Sequence, residues 1–148
     1  MQDYKLLAKQ LTSLLEGVDN QISKLANTSA FLYNSLNDVS WVGFYLLDKD
    51  YLYLGPFQGK VACTVIPVGK GVCGTCVKEN KTIPVKNVHE FPGHIACDSE
   101  SNSEIVLPIF KDNNLVMVLD IDSKSLNRFD ESDKDGLEMI TNVISENL

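Results

Sequence analysis

Residues 41–54 read Trp-Val-Gly-Phe-Tyr-Leu-Leu-Asp-Lys-Asp-Tyr-Leu-Tyr-Leu. A run of aromatic and branched residues, a charged break and a second such run predict a β-hairpin. With a period of two, Trp41, Gly43 and Tyr45 share one face of the first strand, and Val42, Phe44 and Leu46 share the other. Further along, Gly55-Pro56-Phe57-Gln58-Gly59 predicts a loop, and residues 61–67 a third strand carrying Cys63. Gly69 and Gly71 punctuate the entry to a short helix over residues 72–79, which carries Cys73 and Cys76. Residues 82–85 read as a brief extended piece. A second hairpin follows, residues 105–110 and 115–121, around Asp112-Asn113-Asn114. On its second strand Leu115, Met117, Leu119 and Ile121 are expected to face one way, and Val116, Val118, Asp120 and Asp122 the other. Carboxylates closing an apolar strand face are unusual, because a buried charge needs a partner.

The flanks are helical. Tyr4, Leu7, Leu11, Leu14 and Leu15, then Val18, Ile22 and Leu25, recur at helical spacing within residues 3–37. Gly17 and Asp19-Asn20 predict a break, with Asp19 as the cap, and Asn27-Thr28-Ser29 a restart running to Leu36. A last helix is expected from Asp130, with Asp133 as its capping partner and Leu137, Ile140, Ile144 and Leu148 as its apolar stripe. Helices bracketing strands that are joined by hairpins predict one α+β domain over residues 1–148 with a central, mainly antiparallel sheet. The length suits a single core.

At 44% hydrophobic and 22% charged residues, the composition is that of a globular chain. A net charge of -7 excludes a nucleic-acid binder that works through a basic patch, and disfavours an anionic membrane surface. No apolar run approaches the roughly 20 residues that span a bilayer, and the N-terminus has no signal-peptide core. The expected compartment is the cytoplasm. In that reducing setting Cys63, Cys73, Cys76 and Cys97 read as packing, metal or redox residues rather than a disulfide scaffold.

The chemistry concentrates in residues 89–107, His-Glu-Phe-Pro-Gly-His-Ile-Ala-Cys-Asp-Ser-Glu-Ser-Asn-Ser-Glu-Ile-Val-Leu, which hold both histidines of the chain, His89 and His94. Loops of this kind often carry function. Cys97, three residues from His94, is a candidate nucleophilic thiol. Cys63 and Cys73 gain meaning only in combination, as thiols that trap a sulfenic acid in a disulfide. Cys73-Gly74-Thr75-Cys76 is a formal Cys-x-x-Cys without the βαβ context of a thioredoxin motif. Structural zinc is disfavoured, because Cys63 and Cys97 stand alone rather than paired at ligand spacing. Glu104, Asp120 and Asp122, with Trp41 and Tyr45, suggest a pocket with an aromatic wall and a carboxylate rim, suited to a ligand bearing an ammonium group. A carboxylic acid of raised pKa there could also donate a proton.

Taken together, these segments resemble the free methionine-(R)-sulfoxide reductases, a family of stand-alone GAF domains. The likeness rests on Leu25-Ala-Asn-Thr-Ser-Ala30, Trp41-Val-Gly-Phe-Tyr45, Leu54-Gly-Pro-Phe-Gln-Gly-Lys60, Ala62-Cys63, Gly71-Val-Cys-Gly-Thr75, Val88-His-Glu-Phe-Pro-Gly-His-Ile-Ala-Cys-Asp98, Ser101-Asn-Ser-Glu-Ile-Val-Leu-Pro108 and Leu119-Asp-Ile-Asp-Ser123. So many motifs in order are highly specific. The resemblance implies a GAF-like domain with the N- and C-terminal helices on one sheet face and a ligand pocket on the other. It implies reduction of free methionine-(R)-sulfoxide through a sulfenic acid and an intramolecular disulfide, reset by thioredoxin. By position Cys97 matches the nucleophile, Cys63 the main resolving cysteine and Cys73 a third redox cysteine that stays an alternative attacker. Glu104, Asp120 and Asp122 match the acidic pocket residues, and Trp41 and Tyr45 the aromatic wall. Cys76 departs from the family pattern. A homodimer and the absence of any metal or organic cofactor are further expectations. The rival readings are a metabolite sensor, which would be expected to carry an output domain, and a zinc-stabilised interaction module.

Overall fold

The computed structural model of the chain describes residues 2–95, 97 and 100–148. In chain order the elements are α1 (Tyr4–Leu15), α2 (Gln21–Ser35), β1 (Trp41–Asp48), β2 (Tyr51–Gln58), β3 (Val65–Pro67), α3 (Gly71–Glu79), β4 (Ile83–Val85), β5 (Ser103–Lys111), β6 (Asn114–Ser123) and α4 (Glu131–Glu146), with one 3₁₀ turn at Val88–Glu90. The strands form a six-stranded sheet in the order β3-β2-β1-β6-β5-β4, antiparallel at every pairing. The α+β expectation holds. Each predicted hairpin supplies two of the three strands of one half of the sheet, with β3 and β4 at the edges, and the halves meet where β1 pairs with β6.

The alternation in β1 sends its side chains into two separate cores. Val42 and Phe44 join Leu7, Leu11, Leu25, Leu32, Leu137 and Ile140 beneath α1, α2 and α4. Trp41 and Tyr45 join Leu52, Ile66, Val72, Cys76 and Val106 on the opposite face, which α3 covers. The capping box predicted for α4 is present, with Asp130 accepting from the Asp133 amide and Asp133 accepting from the Asp130 amide. Asp133 also accepts from Tyr4 Oη at 2.6 Å and pairs with Arg128 at 3.1 Å, joining the two ends of the chain.

Several local expectations are corrected. The helix after the break is capped by Asn20, not Asp19, because the Asn20 side chain accepts from the Ser23 amide. It also runs unbroken through Asn27-Thr28-Ser29. The Thr28 and Ser29 hydroxyls donate to the carbonyls of Lys24 and Leu25, so they are satisfied inside the helix instead of ending it. The third strand begins at Val65, which leaves Cys63 on a loop. The expected loop at Gly55-Pro56 stays in β2 as a bulge: Gly43 pairs with Phe57, but Tyr45 pairs with Leu54. A bulge tolerates the missing amide of Pro56. In β6 the alternation slips at its start, because Ile109 pairs with Met117 but Phe110 with Leu115. The surplus residue, Val116, packs toward the helices beside Met117, whereas Leu115 packs on the α3 side. Among the described residues no helix is long and apolar enough to cross a membrane.

Candidate active site

Strand register converts the sequence spacing into a site. Asp122 of β6 lies opposite Trp41 of β1 on one side and Glu104 of β5 on the other. One row further along the same face, Asp120 lies opposite Gly43 and Val106. Three carboxyl groups from two adjacent strands therefore converge on the α3 face, each at most 9% exposed. They line a cavity of about 520 Å³, its mouth included, with Trp41, Tyr45, Cys73 and Cys97 among the other lining residues. Cys63 reaches this mouth through a disulfide to Cys97.

The aromatic wall also positions the thiols. Trp41 stacks on Phe57 and Tyr45, with ring centroids 5.2 and 6.0 Å apart. Trp41 Nε1 donates to the Lys60 carbonyl and Tyr45 Oη to the Cys63 carbonyl, both at 2.9 Å. Both rings thus anchor the loop that presents Cys63. The indole fits because residue 43 has no side chain: a Cβ there would sit 2.6 Å from the Trp41 ring and 2.4 Å from Phe57 Cβ. Gly43→Ala is therefore expected to cost about 1–3 kcal/mol of stability and to displace the indole. Urea unfolding followed by the fluorescence of Trp41, the single tryptophan, checks both effects.

Residues 27–148 match the family model described as a GAF domain. The free methionine-R-sulfoxide reductase of Escherichia coli (strain K12) is 52% identical over 137 residues, covering 93% of this chain and 83% of that protein. Among solved structures, fRMsr of Staphylococcus aureus in its reduced form superposes with a TM-score of 0.96 at 53% identity, covering 100% of this chain and 96% of that one. Free methionine-R-sulfoxide reductase from Neisseria meningitidis, in complex with its substrate, superposes with a TM-score of 0.94 at 42% identity, covering 97% and 87%. The chain belongs to the free methionine-R-sulfoxide reductase family.

In this family member the pocket electrostatics are set by desolvation. Burial, then the nearby Asp120 and Asp122 carboxylates, push the Glu104 carboxyl well above the ordinary carboxylate range. Burial also raises Asp120, although hydrogen bonding to Glu104 and Cys73 offsets part of the rise. The Cys73 thiol is pushed well up by burial and then by Asp120 and Glu104, and Cys76 is pushed up to about 12. Asp120 Oδ1 is buried with no hydrogen-bond partner among the described residues. Such an orphaned acceptor costs about 1–3 kcal/mol until a donor reaches it. Glu104 Oε1 lies 3.9 Å from His94 Nε2. Burial, then His89, lowers the His94 pKa, while Glu104 moves up. Both shifts favour the uncharged forms of the pair.

Of the residues singled out in the sequence, Trp41, Tyr45, Cys73, Cys97, Glu104, Asp120 and Asp122 line the cavity, and Cys63 is bonded to Cys97. The histidines separate. His89 is turned away and bonds Asn102 at 2.9 Å, whereas His94 lines the pocket. Asp98, part of the quoted motif, lies outside the described residues. The reading missed Ser101, whose buried hydroxyl finds no partner among the described residues and lines the pocket. Its place at the head of Ser101-Asn-Ser-Glu104 was the available signal. It also missed the first turn of α3, where Gly71 and Val72 line the cavity. Gly71, at φ +62°, lies against the side chain of Ile95, so the glycine there lets the Cys97 loop approach. Cys73 Sγ and one oxygen each of Glu104 and Asp120 lie within 4.8 Å of one another, close enough to share protons or to contact a common cation.

Proposed function

We propose that this protein reduces free L-methionine-(R)-sulfoxide to methionine. The observation that carries the reading is a disulfide-capable thiol pair, Cys63 and Cys97, at the mouth of a pocket whose floor holds three buried carboxyl groups, one with an orphaned oxygen. A free amino acid brings the ammonium group that Asp120 and Asp122 accept. Its carboxylate meets the backbone amides opening α3. The methyl-thio end lies against Trp41 and Tyr45.

Cys97 thiolate attacks the sulfoxide sulfur; as the substrate's sulfur–oxygen bond breaks, the oxygen ends on Cys97 sulfur, carrying the proton that Glu104 gives it. The sulfoxide is reduced to methionine and Cys97 is oxidised to a sulfenic acid. The Cys63 thiol then attacks Cys97 sulfur, forming the disulfide and releasing water. Cys97 is preferred over Cys73 as attacker because burial beside two acids holds Cys73 as a thiol. Cys73 then serves as a reserve resolving thiol, and Cys76, sealed in the core, as a packing residue. A dithiol of the thioredoxin type reduces the disulfide, so no metal or organic cofactor takes part. The exposed Leu6, Leu14 and Ile22 suit a homodimer built on the N-terminal helices, and the thiol cycle suits the cytoplasm.

The test is consumption of free L-methionine-(R)-sulfoxide, its S epimer and a peptide-bound sulfoxide with thioredoxin, thioredoxin reductase and NADPH. The expected result is turnover of the free R epimer alone. Absence of stereoselective loss of the free sulfoxide overturns the reading.

A further inference from the structure

The Cys97 loop is pinned firmly downstream of the thiol. The Asn102 amide donates to the Ser123 carbonyl, its carbonyl accepts from the Val88 amide, and its side chain donates to the Lys124 carbonyl at 2.6 Å. Two contacts tie described residues between Ile95 and Asn102 to the Cys63 side. One is the disulfide. The other is Glu100, whose Oε2 lies 2.7 Å from Lys60 Nζ and 3.1 Å from Lys124 Nζ. The two contacts share one register: Lys60 stands three residues before Cys63, and Glu100 three residues after Cys97. Trp41 holds the Lys60 carbonyl, so the backbone from which this cation extends is anchored to the pocket wall, while Lys124 directly follows the strand carrying Asp120 and Asp122. The Glu100 pKa is lowered, first by its hydrogen bond to Lys60 and then by that to Lys124, as expected of a carboxylate facing two ammonium groups.

We propose that Glu100, held by Lys60 and Lys124, is a positioning residue for the disulfide step: an electrostatic latch that keeps Cys97 within reach of Cys63 before the sulfur–sulfur bond exists. The latch raises the effective concentration of one thiol at the other, which is what sets the equilibrium between an intramolecular disulfide and an external thiol pool. Each exposed ion pair is individually weak. Two on one carboxylate, at the register of the disulfide, bias loop closure by a measurable factor and leave chemistry in the pocket alone. The inference rests on Cys63 and Cys97 acting as a redox pair, not on the identity of the sulfoxide.

The experiment equilibrates the protein with glutathione, where two protein thiols and one oxidised glutathione give the disulfide and two reduced glutathiones. The Cys63–Cys97 disulfide is quantified by alkylation and mass spectrometry. Glu100→Gln is expected to lower the equilibrium constant about three- to tenfold. Lys60→Gln moves it the same way, and the Glu100→Gln/Lys60→Gln double variant falls no further than Glu100→Gln alone. Raising salt from about 20 mM to about 1 M lowers the wild-type constant toward that of the variant and leaves Glu100→Gln unchanged. With sulfoxide, the single-turnover rate of methionine release stays at the wild-type value while disulfide formation slows. An equilibrium constant insensitive to both Glu100→Gln and salt overturns the latch. So does an equal slowing of methionine release, which would place Glu100 in the reaction itself. Loss of sulfoxide turnover in the wild type touches the substrate reading and leaves the glutathione result standing.

Discussion

Cys97→Ser is expected to reduce turnover of free L-methionine-(R)-sulfoxide by at least about a thousandfold. A serine hydroxyl stays protonated at neutral pH and is a poor nucleophile toward sulfur. It also forms no sulfenic acid, so both halves of the cycle stop together. Cys63→Ser separates those halves. It should release about one methionine per protein in a rapid burst and then slow sharply with thioredoxin as reductant, because the sulfenic acid lacks its bonded partner. Quenched-flow quantification of methionine, with mass spectrometry of the protein, reads both. Full activity in Cys97→Ser would move attack to Cys73, against the burial and acidic surroundings that hold its proton. Undiminished recycling in Cys63→Ser would instead make Cys73 the working resolver.

Glu104→Gln should lower kcat/KM by about 10²- to 10³-fold while making the fold more stable at neutral pH. The two effects share one cause. Folding carries Glu104 out of water to 7% exposure beside Asp120 and Asp122, and its pKa rises well above 4.5. Between that ordinary value and the raised one, the folded state holds a proton that the unfolded state has released. The folded state therefore binds more protons, and stability falls as pH increases through this window. Glutamine removes the titration. Its melting temperature should gain on the wild type as pH rises above the ordinary carboxylate range, with the gap widening as pH rises through the window. With Glu104 as the proposed proton donor, wild-type activity should decline on the alkaline side, a limb the variant should lack. An alkaline limb that survives in Glu104→Gln would transfer proton donation to Asp120 or Asp122.

Much of this architecture was legible because period-two alternation is a local property. The two faces of β1 follow directly from Trp41 to Leu46, and the placement of Asp120 with Asp122 follows from the end of β6. What alternation cannot supply is a count of residues across a pair of strands. The bulge that keeps Gly55-Pro56 in β2, and the one that turns Val116 toward the helices, each insert a residue whose effect depends on the partner strand. The same holds for Glu104. That it is acidic and near a strand start was readable, but its meeting with Asp122 needs the β5–β6 register. The mostly apolar, β-branched run from Val61 to Pro67 predicts a strand at Cys63. Hydrogen bonds from Tyr45 to the Cys63 carbonyl and from Trp41 to that of the adjoining Lys60 outweigh the propensity. The pairing of Cys63 with Cys97 came only from family resemblance, since residues 34 apart carry no local sign of contact.

The two-halved sheet has a consequence for the lifetime of the folded chain. Trp41 and Tyr45 belong to one half, Glu104, Asp120 and Asp122 to the other, and Cys63–Cys97 crosses between them. Closing a loop of 34 residues removes unfolded-chain entropy worth about 3–4 kcal/mol. If Cys63 and Cys97 cycle as proposed, each turnover also staples and releases the domain. When reductant runs short, molecules collect in the stapled form, which opens least and resists proteolysis best. The protein would outlast the shortage in the state that a returning reductant can put back to work.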